Sequence, residues 1–200
     1  MHYPVVVRVR ERAGDLDSIA HRGVGQQPVE LNYRRQGTSL NVLHVSYSTG
    51  IDSDRRGNEM LEHQVFLSVG HDEYWSGNQR TNVEAARAAG IHLAFFSGNE
   101  IFWKTRWENS ISASATPYRT LVTYKETHAG AKIDPLPTVW TGTWRDPRFS
   151  PPANGGRPEN TLSGTIFTVN CCETTPRGLR ISQAEGKLRF WRHTSIYFKW

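Results

Sequence analysis

Val65-Phe66-Leu67-Ser68-Val69-Gly70-His71-Asp72-Glu73-Tyr74-Trp75-Ser76 is the stretch on which the reading of the fold turns. Val65 to Val69 is a continuous apolar run of strand length, the pattern of a parallel strand buried on both faces. Ser76 can cap a following helix, and Gln79 stands three positions on, the S-x-x-Q capping box. Thr81 to Ala89 is rich in Ala, Glu and Arg, which favour helix, and Gly90 is a natural C-terminal stop. Ile91 to Phe96 is the next apolar strand. The spacing predicts strand, helix, strand: one parallel βαβ unit with a right-handed crossover. In open α/β sheets chemistry gathers at the carboxyl ends of strands, and both strands end in polar residues.

Outward from this unit the pattern weakens. Val42 to Tyr47 reads as a strand, Gly50 to Gly57 as a polar turn, and Glu59 to His63 as one or two helical turns. Val5 to Val7 fits a strand, but Arg8 to Arg12 interrupts it, and Gly23, Gly25 and Pro28 mark irregular chain. Downstream, Thr120 to Lys125, Val139 to Trp144, Leu162 to Asn170 and Leu188 to Arg192 read as β segments between Pro- and Gly-rich loops. The expectation is an α/β parallel sheet core followed by a β- and loop-rich C-terminal extension. No internal repeat or low-complexity tract is evident.

The chain has 200 residues, enough for one domain with a real core. Mean hydropathy is −0.58, and no run approaches the roughly 20 apolar residues of a membrane span. The N-terminal apolar run, cut by Arg8 and Arg10, is too short for a signal peptide. That leaves a cytoplasmic protein or one exported as part of a longer parent. The net charge of +5 is spread among acidic residues rather than gathered in a stripe. It reads as a solubility property, and no nucleic-acid partner is expected. Cys171 and Cys172 are adjacent, neighbours in sequence rarely bridge each other, and no Cys/His metal pattern exists. The seven tryptophans, as in Trp140-Thr141-Gly142-Thr143-Trp144-Arg145, suit loops over a sheet edge or pocket as well as plain core.

The candidate site residues fall in three clusters. Tyr74 either packs its ring and hydrogen-bonds a neighbour or, as phenolate, binds a hard cation such as Fe(III). His71, Asp72 and Glu73 are candidate ligand, base or orienting groups, and equally a turn and helix cap. At the second strand end, the Asn99 amide either binds a carbonyl or oxyanion or caps a helical turn. Trp103, Arg106 and Trp107 follow at helical spacing. In Tyr124-Lys125-Glu126-Thr127-His128, a strand would put Glu126 and His128 on one side, where they could complete a metal shell. Asp52-Ser53-Asp54 is only a fragment of a calcium loop. No nucleophile elbow, Walker A or G-x-G-x-x-G motif is present.

Gly70 to Ser76, Phe95 to Arg106 and Tyr124 to His128 resemble the C-terminal domain of the N,N-dimethylformamidase large (beta) subunit-like family. Thr141 to Pro147, Arg157 to Asn160 and Arg189 to Arg192 extend the likeness over roughly Val45 to Thr194. The resemblance implies a glutamine-amidotransferase-like core and hydrolysis of a small amide at a mononuclear iron held by two tyrosines and a glutamate. Tyr74 carries over as one ligand. Tyr3 or Tyr33 is the candidate second tyrosine, and Glu126 the carboxylate proposed from the residues themselves. His71, Glu73, Asn99 and His128 are the catalytic candidates around them. The implied organisation is an irregular segment over 1–40 and a family domain over 41–200, truncated at its C-terminus, in a larger chain or oligomer. The alternative is a non-catalytic module of a larger surface protein, binding through Trp-rich loops, or an inactive truncated fragment.

Overall fold

A computed structural model of the chain describes residues 5–9, 31–33, 41–148, 156–168 and 180–196. The chain divides into two compact units, Met1–Phe167 and Thr168–Trp200. In the first, β1 (Val5–Val9), β2 (Leu31–Tyr33), β3 (Asn41–Tyr47), β4 (Val65–Gly70) and β6 (His92–Ser97) form a five-stranded sheet in the order β2-β3-β1-β4-β6. The second sheet is β5 (Tyr74–Ser76), β7 (Trp103–Glu108) and β8 (Thr120–Val122), in that order.

The architecture is mixed α/β, and the expected parallel sheet is realised in part. β4 and β6 pair in parallel from Val65↔His92 to Gly70↔Ser97, with α2 (Gly77–Ala88) between them in sequence. β5 and β7 are also parallel. β1 runs antiparallel to β3 and β4, and β2 antiparallel to β3. The strand expected at Val5 to Val7 is present as Val5–Val9, and Leu31–Tyr33, in the region expected to be irregular, is also a strand of the main sheet.

Helix α2 begins as the sequence predicts. The Ser76 hydroxyl accepts from the Gln79 backbone N–H at 3.1 Å, which is the Ser76 half of the box. Gly90, at φ 98°, takes the left-handed conformation that ends the helix. The stretch expected as a polar turn is a helix, α1 (Gly50–Arg55), opened by a full capping box between Thr49 and Asp52. Asp52 is thereby a cap rather than a calcium ligand. A 3₁₀ turn follows over Gly57–Glu62. The Asn82 side chain donates to the Ser53 and Asp54 carbonyls at 2.8 and 2.9 Å, satisfying the end of α1. The 3₁₀ turn and α2 approach so closely that a Cβ on Gly57 would lie 2.3 Å from the Asn82 side chain.

The core gathers Met60, Phe66, Trp75, Val83, Ala86, Ile101, Trp144 and Leu162. Phe66 and Trp75 meet edge to face at 6.3 Å, a favourable aromatic geometry. Trp75, Trp103, Trp140 and Trp144 are all at most 2% exposed, so these four are core rather than binding surface.

Three expected β segments take other forms. Val139 to Trp144 is loop, with one bridge, Trp103↔Thr143. The described part of Leu162 to Asn170 begins inside a short helix, α4 (Asn160–Ser163). Leu188 to Arg192 contains the 3₁₀ turn Arg189–Trp191. Conversely, Trp103, Arg106 and Trp107, read at helical spacing, lie on strand β7. In the second unit, Ser182 and Glu185 cap each other across a second 3₁₀ turn, Glu185–Lys187. Cys171 and Cys172 lie outside the described residues.

Candidate active site

The carboxyl ends of β4 and β6 lie side by side, and the chains leaving them zip together. The Gly98 N–H donates to the Gly70 carbonyl at 3.1 Å and the Ile101 N–H to the Asp72 carbonyl at 3.0 Å. The Phe102 and Trp103 N–H groups both donate to the Glu73 carbonyl, at 3.0 and 2.9 Å. This ladder leads directly into the parallel β5–β7 pair, with Tyr74 opposite Trp103. The two polar clusters seen in the sequence are therefore one structural feature.

His71 is exposed, and its Nε2 would be 3.7 Å from a Cβ placed on Gly98. Asp72 is buried and accepts from the Ser68 hydroxyl at 2.8 Å, fixing the turn that carries His71 and Glu73. Asn99 and Ile101 have φ of 61° and 56°, the left-handed region that non-glycine residues seldom occupy. Such conformations cost about 1–3 kcal/mol each and cluster at functional sites. Burial of Ile101 in the core holds the turn in place. The Asn99 Oδ1 is buried and has no donor among the described residues.

The third cluster reaches the same place. Lys125 Nζ lies 5.5 Å from the Tyr74 ring centroid and 5.0 Å from that of Trp103, within reach of a cation–π contact. His128 meets Trp103 edge to face at 4.8 Å. Tyr74, at 36% exposure, keeps access to solvent. Lys125 and His128 thus both meet Trp103, the residue opposite Tyr74 in the β5–β7 pair.

Glu126 departs from the expectation. Residues 126–129 are a helical turn, α3 (Glu126–Ala129), not a strand end, so Glu126 and His128 do not share a face. The Glu126 carboxylate is fully buried. It accepts from the backbone N–H groups of Ile133, Asp134 and Thr141 at 2.8, 2.9 and 2.7 Å. Lys132 Nζ adds an ion pair at 3.4 Å. A carboxylate offers about four acceptor positions; backbone N–H groups take three of them, two on Oε1 and one on Oε2. Tyr74 keeps access to solvent, whereas the Glu126 carboxylate closes the loop between α3 and Thr141. Tyr3 lies outside the described residues, and only the backbone of Tyr33 is described. No group of three or more His, Cys, Asp or Glu able to hold a metal occurs among the described residues.

The loops beneath His128 are tightly joined. The Thr143 N–H donates to the Thr127 hydroxyl at 2.8 Å. A Cβ on Gly142 would lie 2.1 Å from the Trp140 ring and 2.6 Å from the Thr127 hydroxyl, so only glycine fits. Asp146 accepts from Arg148 through Nε at 3.0 Å and Nη2 at 2.7 Å. Chiefly this Arg148 contact, with a further bond from Thr127, lowers the Asp146 pKa to about 2. A carboxyl whose pKa falls on folding stabilises the native state above its unfolded pKa of about 3.9, and that contribution is lost as pH falls through the folded value. Asp146→Asn is therefore expected to flatten the acid limb of a stability–pH curve between about pH 4 and pH 2, measured by denaturant unfolding. An unchanged limb would remove Asp146 from the account.

A family model described as N,N-dimethylformamidase beta subunit-like, C-terminal, matches residues 36–199. The chain belongs to this family. The dimethylformamidase beta-subunit-like match begins before β3 and includes both strand ends, β5–β7 and α3. No curated protein and no solved structure matches the chain. No helix among the described residues is long and apolar enough to cross a membrane.

Several site features carried no sequence signal. The closure of Glu126 depends on donors up to 15 residues away. The proximity of Lys125 to Tyr74 depends on a left-handed residue at position 125, φ 48°, where no glycine or asparagine marks it.

Proposed function

We propose that this dimethylformamidase-like domain hydrolyses the C–N bond of a small linear amide, on a glutamine-amidotransferase-like core, as a subunit or part of a larger assembly. What supports the reading is that His71, Glu73 and Tyr74 follow β4, Asn99 follows the adjacent β6, and His128 of α3 meets Trp103, the residue opposite Tyr74, together with the family membership. Tyr74 would hold an iron ion, which when bound polarises the amide carbonyl and acidifies water. The chain's own residues do the rest. His71 or Glu73 takes a proton from the attacking water, and His128 returns one to the departing amine nitrogen. Asn99 Oδ1, an acceptor with no donor of its own, orients a hydrogen of the water or of the amide. The products are a carboxylate and an amine.

Tyr74→Phe tests this. The unmodified protein is expected to carry near-stoichiometric iron with a visible phenolate-to-iron absorption band, and the variant to lose both while its circular dichroism is unchanged. Equal metal content in the two proteins would sink the tyrosine site. A folded, colourless, metal-free parent protein would instead favour a non-catalytic module.

A further inference from the structure

A cavity of about 450 Å³ opens where the ends of α1 and β5 meet β7, and its wall includes Asp54, Ser76, Trp107, Pro117, Tyr118 and Val139. It does not include the residues gathered at Tyr74. Its volume falls in the range of small-molecule sites, roughly 300–1,000 Å³.

Asp54 is the unusual group in this wall. It is 7% exposed, and its carboxylate has one partner, the Ser76 hydroxyl on Oδ2. Asp52, Glu108 and Asp134 each form an ion pair with an arginine; Asp54 forms none among the described residues. Its Oδ1 meets no donor among them either, and it is not sealed from solvent as the Thr105 hydroxyl and the Trp107 indole nitrogen are. A carboxylate offers about four acceptor positions, and burying one without a cation is costly. An incoming cation removes that cost.

The strand geometry keeps the cations of the chain away from Asp54. Ser76 is the register partner of Thr105, so Ser76, which holds Asp54, shares a sheet face with Trp107, and Lys104 and Arg106 point to the other. Arg106 is divided between Glu108 and Asp134. Lys104 lies over the Trp144 ring at 5.5 Å, and the acid that shifts its titration is Glu126, not Asp54. The Arg55 guanidinium lies over the Tyr118 ring at 4.5 Å. The rest of the wall is aromatic or apolar: the rings of Trp107 and Tyr118, with Pro117 and Val139. Aromatic faces attract cations through their quadrupole, as Tyr118 already does with Arg55.

We infer that this cavity binds a small primary ammonium with a flat apolar body, its N–H groups donated to Asp54 Oδ1 and its body lying against Trp107, Tyr118, Pro117 and Val139. An ammonium is donor-only, and its bond to a carboxylate is charge-assisted. A neutral ligand of the same shape gains only the apolar contact, and an anionic one is repelled by Asp54. The inference does not rest on amide hydrolysis at Tyr74.

The probe is benzylammonium, titrated calorimetrically into the whole chain, with neutral benzyl alcohol as the comparison. Benzylammonium is expected to bind, and benzyl alcohol to bind at least about tenfold more weakly. Asp54→Asn keeps an acceptor for Ser76 but loses the charge, and it is expected to cost at least about tenfold in affinity. Tyr118→Asn removes a ring at a left-handed position, φ 57°, that asparagine adopts more readily. It is expected to keep the fold and to weaken benzylammonium about threefold or more, so the inference stays testable should Asp54→Asn fail to fold. Tyr74→Phe is expected to leave benzylammonium binding unchanged, which separates this cavity from the proposed iron site. Absence of binding, equal affinity for benzyl alcohol, affinity indifferent to a folded Asp54→Asn or to Tyr118→Asn, or loss of binding in Tyr74→Phe would each overturn it.

Discussion

Replacing Arg80 by Met is expected to lower unfolding free energy by about 3–5 kcal/mol, the range for removing one partner of a buried charged network. Arg80 is fully buried in α2. Its guanidinium donates to Glu84 Oε1 at 2.9 Å, to the Arg157 and Pro158 carbonyls at 2.6 and 3.2 Å, and to the Thr161 hydroxyl at 2.9 Å. It also stacks over the Trp144 ring at 4.7 Å. Methionine fills most of the volume but removes the donor from the Arg157 carbonyl, leaves the Pro158 carbonyl to Thr161, and leaves Glu84 with Arg157 as its ion partner. Against a typical total of about 5–15 kcal/mol, such a loss leaves a marginal fold. Urea unfolding measures it as a fall in midpoint at constant slope. Arg80→Lys is expected to recover only part of the loss, because an ammonium cannot reproduce the planar fork. A midpoint within error of the parent would show that the network contributes nothing.

Glu126→Ala is expected to cost a comparable amount, about 3–5 kcal/mol, from three backbone N–H groups deprived of their acceptor at about 1–3 kcal/mol each, with partial recovery by water. Its effect should be local as well as global. Hydrogen exchange at Ile133, Asp134 and Thr141 should accelerate more than exchange in α2. A metal ligand and a loop closure differ in the outcome of Glu126→Gln. A ligand role predicts loss of iron with the fold retained. The observed bonds predict destabilisation, because the new amide NH₂ faces backbone N–H donors. Iron loss at unchanged stability would return Glu126 to the metal site.

How much of this was legible in the sequence follows from the range of the interactions. The parallel β4–β6 pair, the Ser76 cap and the Gly90 stop rest on contacts within a few residues or on strong apolar runs, and they were readable. So was the position of His71 and Asn99 just after two neighbouring parallel strands. Val139 to Trp144 has the β-branched and aromatic content of a strand, yet its residues bury into the core from a loop. There Gly142 packs against Trp140, and Thr143 makes one bridge. Alternation cannot distinguish that from pairing. The E-x-H spacing at Glu126 and His128 was read as a strand because Lys125 gives no hint of its left-handed backbone. α1 was missed because Gly50 and three polar residues after it resemble a turn, and only the Thr49–Asp52 reciprocal cap makes it helical.

Arg80 has one more implication, for the order in which the protein is made. Its carbonyl partners lie 77 and 78 residues downstream, so a nascent chain that has produced all of α2 holds a charged side chain with Glu84 alone of these partners to meet. Contacts of such separation slow folding, and domains generally fold as units during synthesis. The first unit therefore closes late, when residues 157–161 clear the ribosome, and a chain interrupted before that point keeps an open, cation-bearing seam along α2.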